Sequence, residues 1–115
     1  MTVNDSYQTF VLEQLGRVAE GIRGKAMFGG VGIYAGAHFF ALLAQDTTYF
    51  KVNDSNRSDF EALGMGPFRP FGDGGEVMQY YELPADILED HDRLAEWTEK
   101  AIAVAVAAKR RGKKR

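Results

Sequence analysis

The sequence predicts an α+β domain: a five-stranded, mainly antiparallel sheet with packed helices, in the order α-β-β-β-α-β-β-α. Apolar residues recur at helical spacing near both ends of the chain. Short runs rich in β-formers, joined by tight turn signals, fill the middle. Nothing alternates strand and helix in the way that builds a parallel sheet. At 115 residues the chain is one domain, long enough to bury a core without disulfides, and it has no cysteine with which to make them.

The first helix starts at Asn4, Asp5 or Ser6, whose side chains can accept from the free N–H groups of a first turn. Tyr7, Phe10, Val11, Leu15, Val18 and Ile22 then recur at steps of three or four and form one apolar stripe. Gly21 and Gly24 bracket the exit, with Arg17 and Arg23 toward the negative end of the dipole. Lys25 to Tyr34 (KAMFGGVGIY) reads as a single strand, strongly bent because Gly29, Gly30 and Gly32 interrupt it. Ala35-Gly36 turns the chain into Ala37–Ala44, apolar on both alternating faces, with Phe40 and Leu42 on one and Phe39 and Leu43 on the other. Gln45-Asp46 turns it again into Thr47–Val52, with Phe50 and Val52 opposite Tyr49 and Lys51. These three strands form a meander.

Asn53-Asp54-Ser55 opens a short helix over Arg57–Leu63 that buries Phe60 and Leu63 and stops at Gly64. Residues 65–75 are loop, with at most an edge strand over Phe68–Phe71, because proline cannot donate to a ladder. Glu76–Leu83 is the last strand, and Pro84 ends it and opens a helical turn. The final helix runs from about Asp92 to Ala108, with Leu94, Trp97, Ala101 and Val104 on one face. The domain therefore spans residues 1–108, and residues 109–115 (KRRGKKR) are too charged to order themselves and form a basic tail.

Charge is divided unevenly. Residues 1–108 hold all sixteen acidic residues and eight of the fourteen cations, whereas the last seven residues hold six cations and no acid. The body should repel polyanions and the tail attract them. No apolar run approaches a membrane span, and residues 1–10 lack the basic and apolar regions of a secretory signal. A cytoplasmic protein is the expectation.

The stretch Met27-Phe28-Gly29-Gly30-Val31-Gly32-Ile33-Tyr34 resembles the N-terminal domain of the TfoX/Sxy family. Further matches are Phe39–Leu42, Tyr49-Phe50-Lys51-Val52, Gly64-Met65-Gly66-Pro67-Phe68 and Tyr80-Tyr81-Glu82-Leu83-Pro84. Together they cover roughly residues 5–105. The resemblance implies the same α+β element order. It also implies an association with transcriptional control of natural competence, as a co-regulator rather than an enzyme. The longer competence regulators carry a second, helical domain that is not seen here. The resemblance supplies no catalytic residue, cofactor or metal ligand.

The glycine run fits neither GxGxxG nor GxxxxGK[ST], so Met27, Phe28, Gly29, Gly30, Gly32 and Tyr34 read as a structural motif rather than a phosphate cradle. His38 and His91 have no acid, nucleophile or second ligand at motif spacing. Asp86, Glu89, Asp90 and Asp92 lack the spacing of a calcium loop and suit a helix start. Tyr34, Phe39, Tyr49, Phe68, Phe71, Tyr80 and Tyr81 are core or partner-facing aromatics sooner than a base-stacking platform, because the body is acidic.

Three readings follow, in order. The first is a non-catalytic regulatory module that binds a protein partner or a second copy of itself through an apolar sheet face or the last helix. The second is a weak DNA or RNA contact through Lys109, Arg110, Arg111, Lys113, Lys114 and Arg115. The third is a small-ligand protein or enzyme with a pocket between sheet and helices.

Overall fold

The structure, a computed structural model, describes residues 5–27, 29–68 and 79–113. One antiparallel sheet of five strands, in the spatial order β1-β2-β3-β4-β5, forms the centre. The strands are β1 (Ile22–Met27), β2 (Gly30–Ala35), β3 (His38–Ala44), β4 (Thr47–Lys51) and β5 (Tyr80–Glu82). The helices are α1 (Asp5–Gly16), α2 (Arg57–Glu61), α3 (Ala85–Leu88) and α4 (His91–Lys113). The α+β class and the antiparallel sheet agree with the sequence reading, and several elements fall elsewhere.

Lys25–Tyr34 is not one bent strand. It is the turn and arms of the β1–β2 hairpin, in which Met27 pairs with Gly30 and Gly29 takes the left-handed φ of 78° at the turn. The meander therefore has four strands before α2. Its first strand takes Ile22 and Arg23, which helical spacing had assigned to the first helix. That helix ends at Gly16, and Phe10 is 37% exposed instead of lying on a buried stripe. Val11 and Leu15 make the buried contact of α1.

The other two glycines of the hairpin have separate steric roles. A Cβ at Gly30 would strike the Leu43 carbonyl oxygen of β3. A Cβ at Gly32 would lie 2.6 Å from Met27 Cε, 2.9 Å from Met27 Sδ and 3.2 Å from Phe39 Cε1, so both side chains rest on bare backbone.

Strand β3 departs from simple alternation. Val31 pairs with Leu43, Gly32 with Leu42 and Ile33 with Ala41, and then Tyr34 pairs with Phe39, so Phe40 is an extra residue in a bulge. Phe40 and Ala41 both point inward and are fully buried with Leu43. The sequence reading had put Phe40 with Leu42. The bulge inverts that phase and sends Phe39 and Leu42 together to the opposite face. In β4 the simple alternation holds, with Phe50 and Val52 inside and Tyr49 and Lys51 across from them.

Among the described residues, all the helices lie on one face of the sheet. The helix α4 crosses β3 and β4, α1 packs on β1 and α4, and α3 packs on α4. Between these layers Phe40 meets Phe50 edge to face at 5.6 Å, and Phe60 meets Trp97 at 4.7 Å. Polar ties join the layers. The Tyr7 hydroxyl lies 2.7 Å from the Thr48 hydroxyl, and Gln14 Nε2 donates to the Leu88 carbonyl at 3.0 Å. Buried Asn56 donates to the Lys51 carbonyl and accepts from the Asn53 N–H, which pins the start of α2 to the end of β4.

At α2 only Phe60 is buried; Leu63 is 44% exposed, against expectation, because the helix has ended before it. Gly64, with φ 76°, is the left-handed stop that the sequence indicates. Pro67 makes a single bridge to Tyr81, and of the span Phe68–Phe71, where at most an edge strand is expected, residues 69–71 lie outside the described residues. Within Glu76–Leu83 the ladder covers Tyr80–Glu82, and residues 76–78 also lie outside. The last helix does not stop at Ala108: its backbone continues through Lys109 to Lys113. Alanine, lysine and arginine are strong helix formers, and cations in a last turn complement the helix dipole.

The glycines give a ranked prediction. Gly30→Ala meets a backbone oxygen and is expected to cost about 2–3 kcal/mol. Gly32→Ala meets a pliable thioether and should cost about 1 kcal/mol or less. Urea denaturation of the two variants checks the order.

Candidate interaction surface

The sheet face that carries no helix is built from the residues out of phase with the core. It presents Arg23, Lys25 and Met27 from β1, Tyr34 from β2, Phe39 and Leu42 from β3, and Tyr49 and Lys51 from β4. Tyr80 and Glu82 come from β5, and Phe68 from the segment beside it. A continuous aromatic row crosses it. Tyr34 stacks on Phe39 at 5.2 Å, and Phe39 meets Tyr80 at 5.6 Å. Each end carries a cation over a ring: the Arg23 guanidinium lies 4.7 Å from the Tyr34 centroid, and Lys51 Nζ lies 5.1 Å from that of Tyr80. Tyr49 and Phe68 form a second pair at 4.7 Å. Met27 lies over Gly32 against Phe39 and extends the apolar floor.

Tyr34, Phe39, Leu42, Tyr49 and Phe68 are half-buried, and Tyr80 is buried. Burial pushes the Tyr80 hydroxyl up to about 12, with the nearby Tyr34 adding to the effect. Burial also raises Tyr49, helped by Glu82, and it lowers Lys51, whose charged form loses water.

The motif residues Met27, Gly29, Gly30, Gly32 and Tyr34 run along the β1–β2 hairpin from its turn at Gly29 to Tyr34 opposite Arg23, while Phe28 lies outside the described residues. Of the other aromatics considered from sequence, Tyr81 belongs to the helix side, where it packs against Phe60 at 6.1 Å. Phe71 lies outside the described residues. The roles of Arg23, Leu42 and Lys51 were missed. The β-bulge hid Leu42, and Arg23 was counted with the helix.

The basic residues of the tail lie far from this face in sequence. Lys109 is exposed on α4, and Arg110, Arg111 and Lys113 continue its backbone. Lys114 and Arg115 lie outside the described residues. His38 is half-buried with its Nδ1 unpartnered, and His91 is exposed at the start of α4. In the acidic group Asp90 accepts from the Arg93 N–H, a capping role. Among the described residues no three His, Asp or Glu come close enough to hold a metal ion, and no helix is long and apolar enough to cross a membrane. A shallow groove between the end of α1 and α4 is lined by Val18, Ala19, Ala95, Glu96, Glu99 and Ile102.

The described residues form a two-layer α+β domain: one sheet, one helix layer, and one aromatic face without helices. The TfoX N-terminal domain matches it over residues 13–105, and the chain belongs to that family. Comparison with curated proteins finds none that matches.

The raised tyrosine gives a prediction with a definite sign. The fold favours the protonated phenol, so Tyr80's contribution is whole below about pH 10 and is lost as pH climbs toward 12. Lys51, shifted down, works in the opposite direction, so the comparison must isolate the tyrosine. Tyr80→Phe is expected to flatten the loss of stability between about pH 10 and 12 in urea denaturation. Equal losses in parent and variant would count against burial of this hydroxyl.

Proposed function

We propose that the chain is a non-catalytic regulatory module that binds a protein partner, a second copy of itself in the first instance, through the helix-free sheet face. The observation that carries this reading is the row Tyr34–Phe39–Tyr80 with Leu42, Tyr49 and Phe68 beside it on a face that no helix covers among the described residues. Aromatic, half-exposed, low-entropy side chains are the type enriched at the centres of protein interfaces. The grooves of the molecule favour this over a catalytic reading. The groove beside α4 has Glu96 and Glu99 as the only ionisable groups among its described lining residues, and the larger groove, at Asn53, Asp54, Ser55 and Arg57, lies on a turn. The cellular setting that goes with the family resemblance is transcriptional control of competence genes, and we place the module there as a co-regulator in the cytoplasm.

Sedimentation of the full chain from micromolar to sub-millimolar concentration tests the surface. Self-association is expected, and Leu42→Glu should weaken it by roughly tenfold or more, the loss of a buried apolar contact at an interface. The thermal midpoint should change little, because Leu42 is outside the core cluster. Association unchanged by Leu42→Glu, or none at any concentration, would sink the self-contact.

A second reading rests on the continuation of α4 through Lys113. Lys109, Arg110, Arg111 and Lys113 follow one another in its last residues, and cations in such a run would suit the phosphates of DNA or RNA. Titration of duplex DNA with the full chain and with a chain ending at Ala108 should show weak binding by the full chain only. Its log–log salt slope should be no steeper than roughly −5 for six cations. Equal binding by the truncated chain would move the contact to the sheet.

A further inference from the structure

We propose that the outer edge of β1 is a docking strand for an extended acidic peptide, which would lie beside β1 and continue the sheet. This edge borders the aromatic face and shares Arg23 and Lys25 with it, but its docking groups are the outward backbone N–H and C=O groups of β1, so it is tested separately.

The two edges of the sheet differ. Beyond β5 the chain closes its own edge: the Glu82 N–H donates to the Gly66 carbonyl at 3.0 Å, the Phe68 N–H donates to the Tyr80 carbonyl at 2.7 Å, and Pro67 bridges Tyr81. Proline there also denies an incoming strand a donor. Strand β1 has no such cover among the described residues. Its partner β2 uses only half of its backbone groups. The Gly36 N–H donates to the Gly21 carbonyl at 3.0 Å, which marks residues 21 and 36 as a hydrogen-bonded pair. Hydrogen-bonded pairs alternate along an antiparallel ladder, so Arg23, Lys25 and Met27 also bond to β2. The N–H and C=O groups of Ile22, Gly24 and Ala26 therefore point outward. They form an open template, and Gly24 and Ala26 are exposed and too small to obstruct a neighbour.

Charge selects the occupant. The strand IRGKAM carries Arg23 and Lys25 on the same face and no acid. A second copy paired antiparallel about Gly24 would set Arg23 of each chain against Lys25 of the other, and like charges directly opposed destabilise a ladder. An extended segment with Asp or Glu at alternate positions meets the same cations favourably. The Arg23 guanidinium is held on the β2 side of the strand, and Lys25 is the cation without such a tie among the described residues of β1. Arg23 lies over the Tyr34 ring and donates from Nη2 to the Gly36 carbonyl at 3.3 Å, leaving further N–H donors for a carboxylate.

The test is fluorescence anisotropy of a labelled peptide of alternating valine and glutamate against the full chain. Binding is expected. Ala26→Pro removes an outward N–H without touching the β1–β2 ladder, and should weaken binding about tenfold or more. Lys25→Glu, at an exposed position, should do the same with the fold intact by circular dichroism. Saturating peptide should also slow amide exchange at Ile22, Gly24 and Ala26, which an electrostatic contact without strand addition would not do. Leu42→Ala, which adds no charge in the row Lys25–Gly32–Leu42, should change peptide binding by less than about twofold. The proposal is overturned if the peptide fails to bind, if an alternating valine–lysine peptide binds as well, or if both β1 variants bind like the parent.

Discussion

Both faces of this sheet depend on the bulge in β3. One extra residue lets Phe40 and Ala41 point inward in succession, and Phe40 then meets Phe50 beneath α4. Without that residue the strand would have to send Phe40 or Leu43 to the helix-free side, because a one-residue shift flips every side chain. The same insertion places Phe39 beside Tyr34 and Tyr80. Core and aromatic row are thus two results of one irregularity, and neither can be altered by a register shift alone.

The glycines serve the same arrangement from the neighbouring strand. Gly29 makes the turn, Gly30 clears the Leu43 carbonyl, and Gly32 leaves a bare patch on which Met27 and Phe39 lie. The side without helices is therefore not a plain polar sheet surface. Rings cover rings there, and the cationic ends of Arg23 and Lys51 finish the row at either side. A sheet with one helix layer needs some such device, since aromatic side chains facing water singly would gain little from one another.

Much of this was legible in the residues. The turns at Gly36, Gln45 and Gly64 follow from local chemistry, and so do the alternation of Thr47–Val52 and the inward stripe of Leu94 and Ala101. The helix-to-strand change near Ile22 was not, because its spacing from Val18 suits a helix and the Gly21 turn that breaks it is set by contact with Gly36. The bulge was not legible either. AHFFALLA is apolar throughout, so periodicity carries no phase information across it. For the same reason the aromatic residues could be picked out as a group but not sorted between faces. Tyr80 and Tyr81 are adjacent and chemically alike, yet one joins the row and the other packs on Phe60. The reach of α4 was not legible either, because the charge density of KRRGK favours a solvated tail while its lysines and arginines are strong helix formers.

That reach has an electrical consequence. Among the side chains of α4 that the structure describes the last buried one is Ala105, and Lys113 lies about 12 Å further along the axis at the usual helical rise. Counter-ions screen charges over about 8 Å at physiological ionic strength and about 30 Å at 0.01 M salt. In ordinary saline the acidic body and the basic helix end are two electrically separate objects on one rod, and the net charge of −2 describes neither. In dilute buffer their fields overlap and largely cancel, so ionic strength changes which charge an approaching molecule meets.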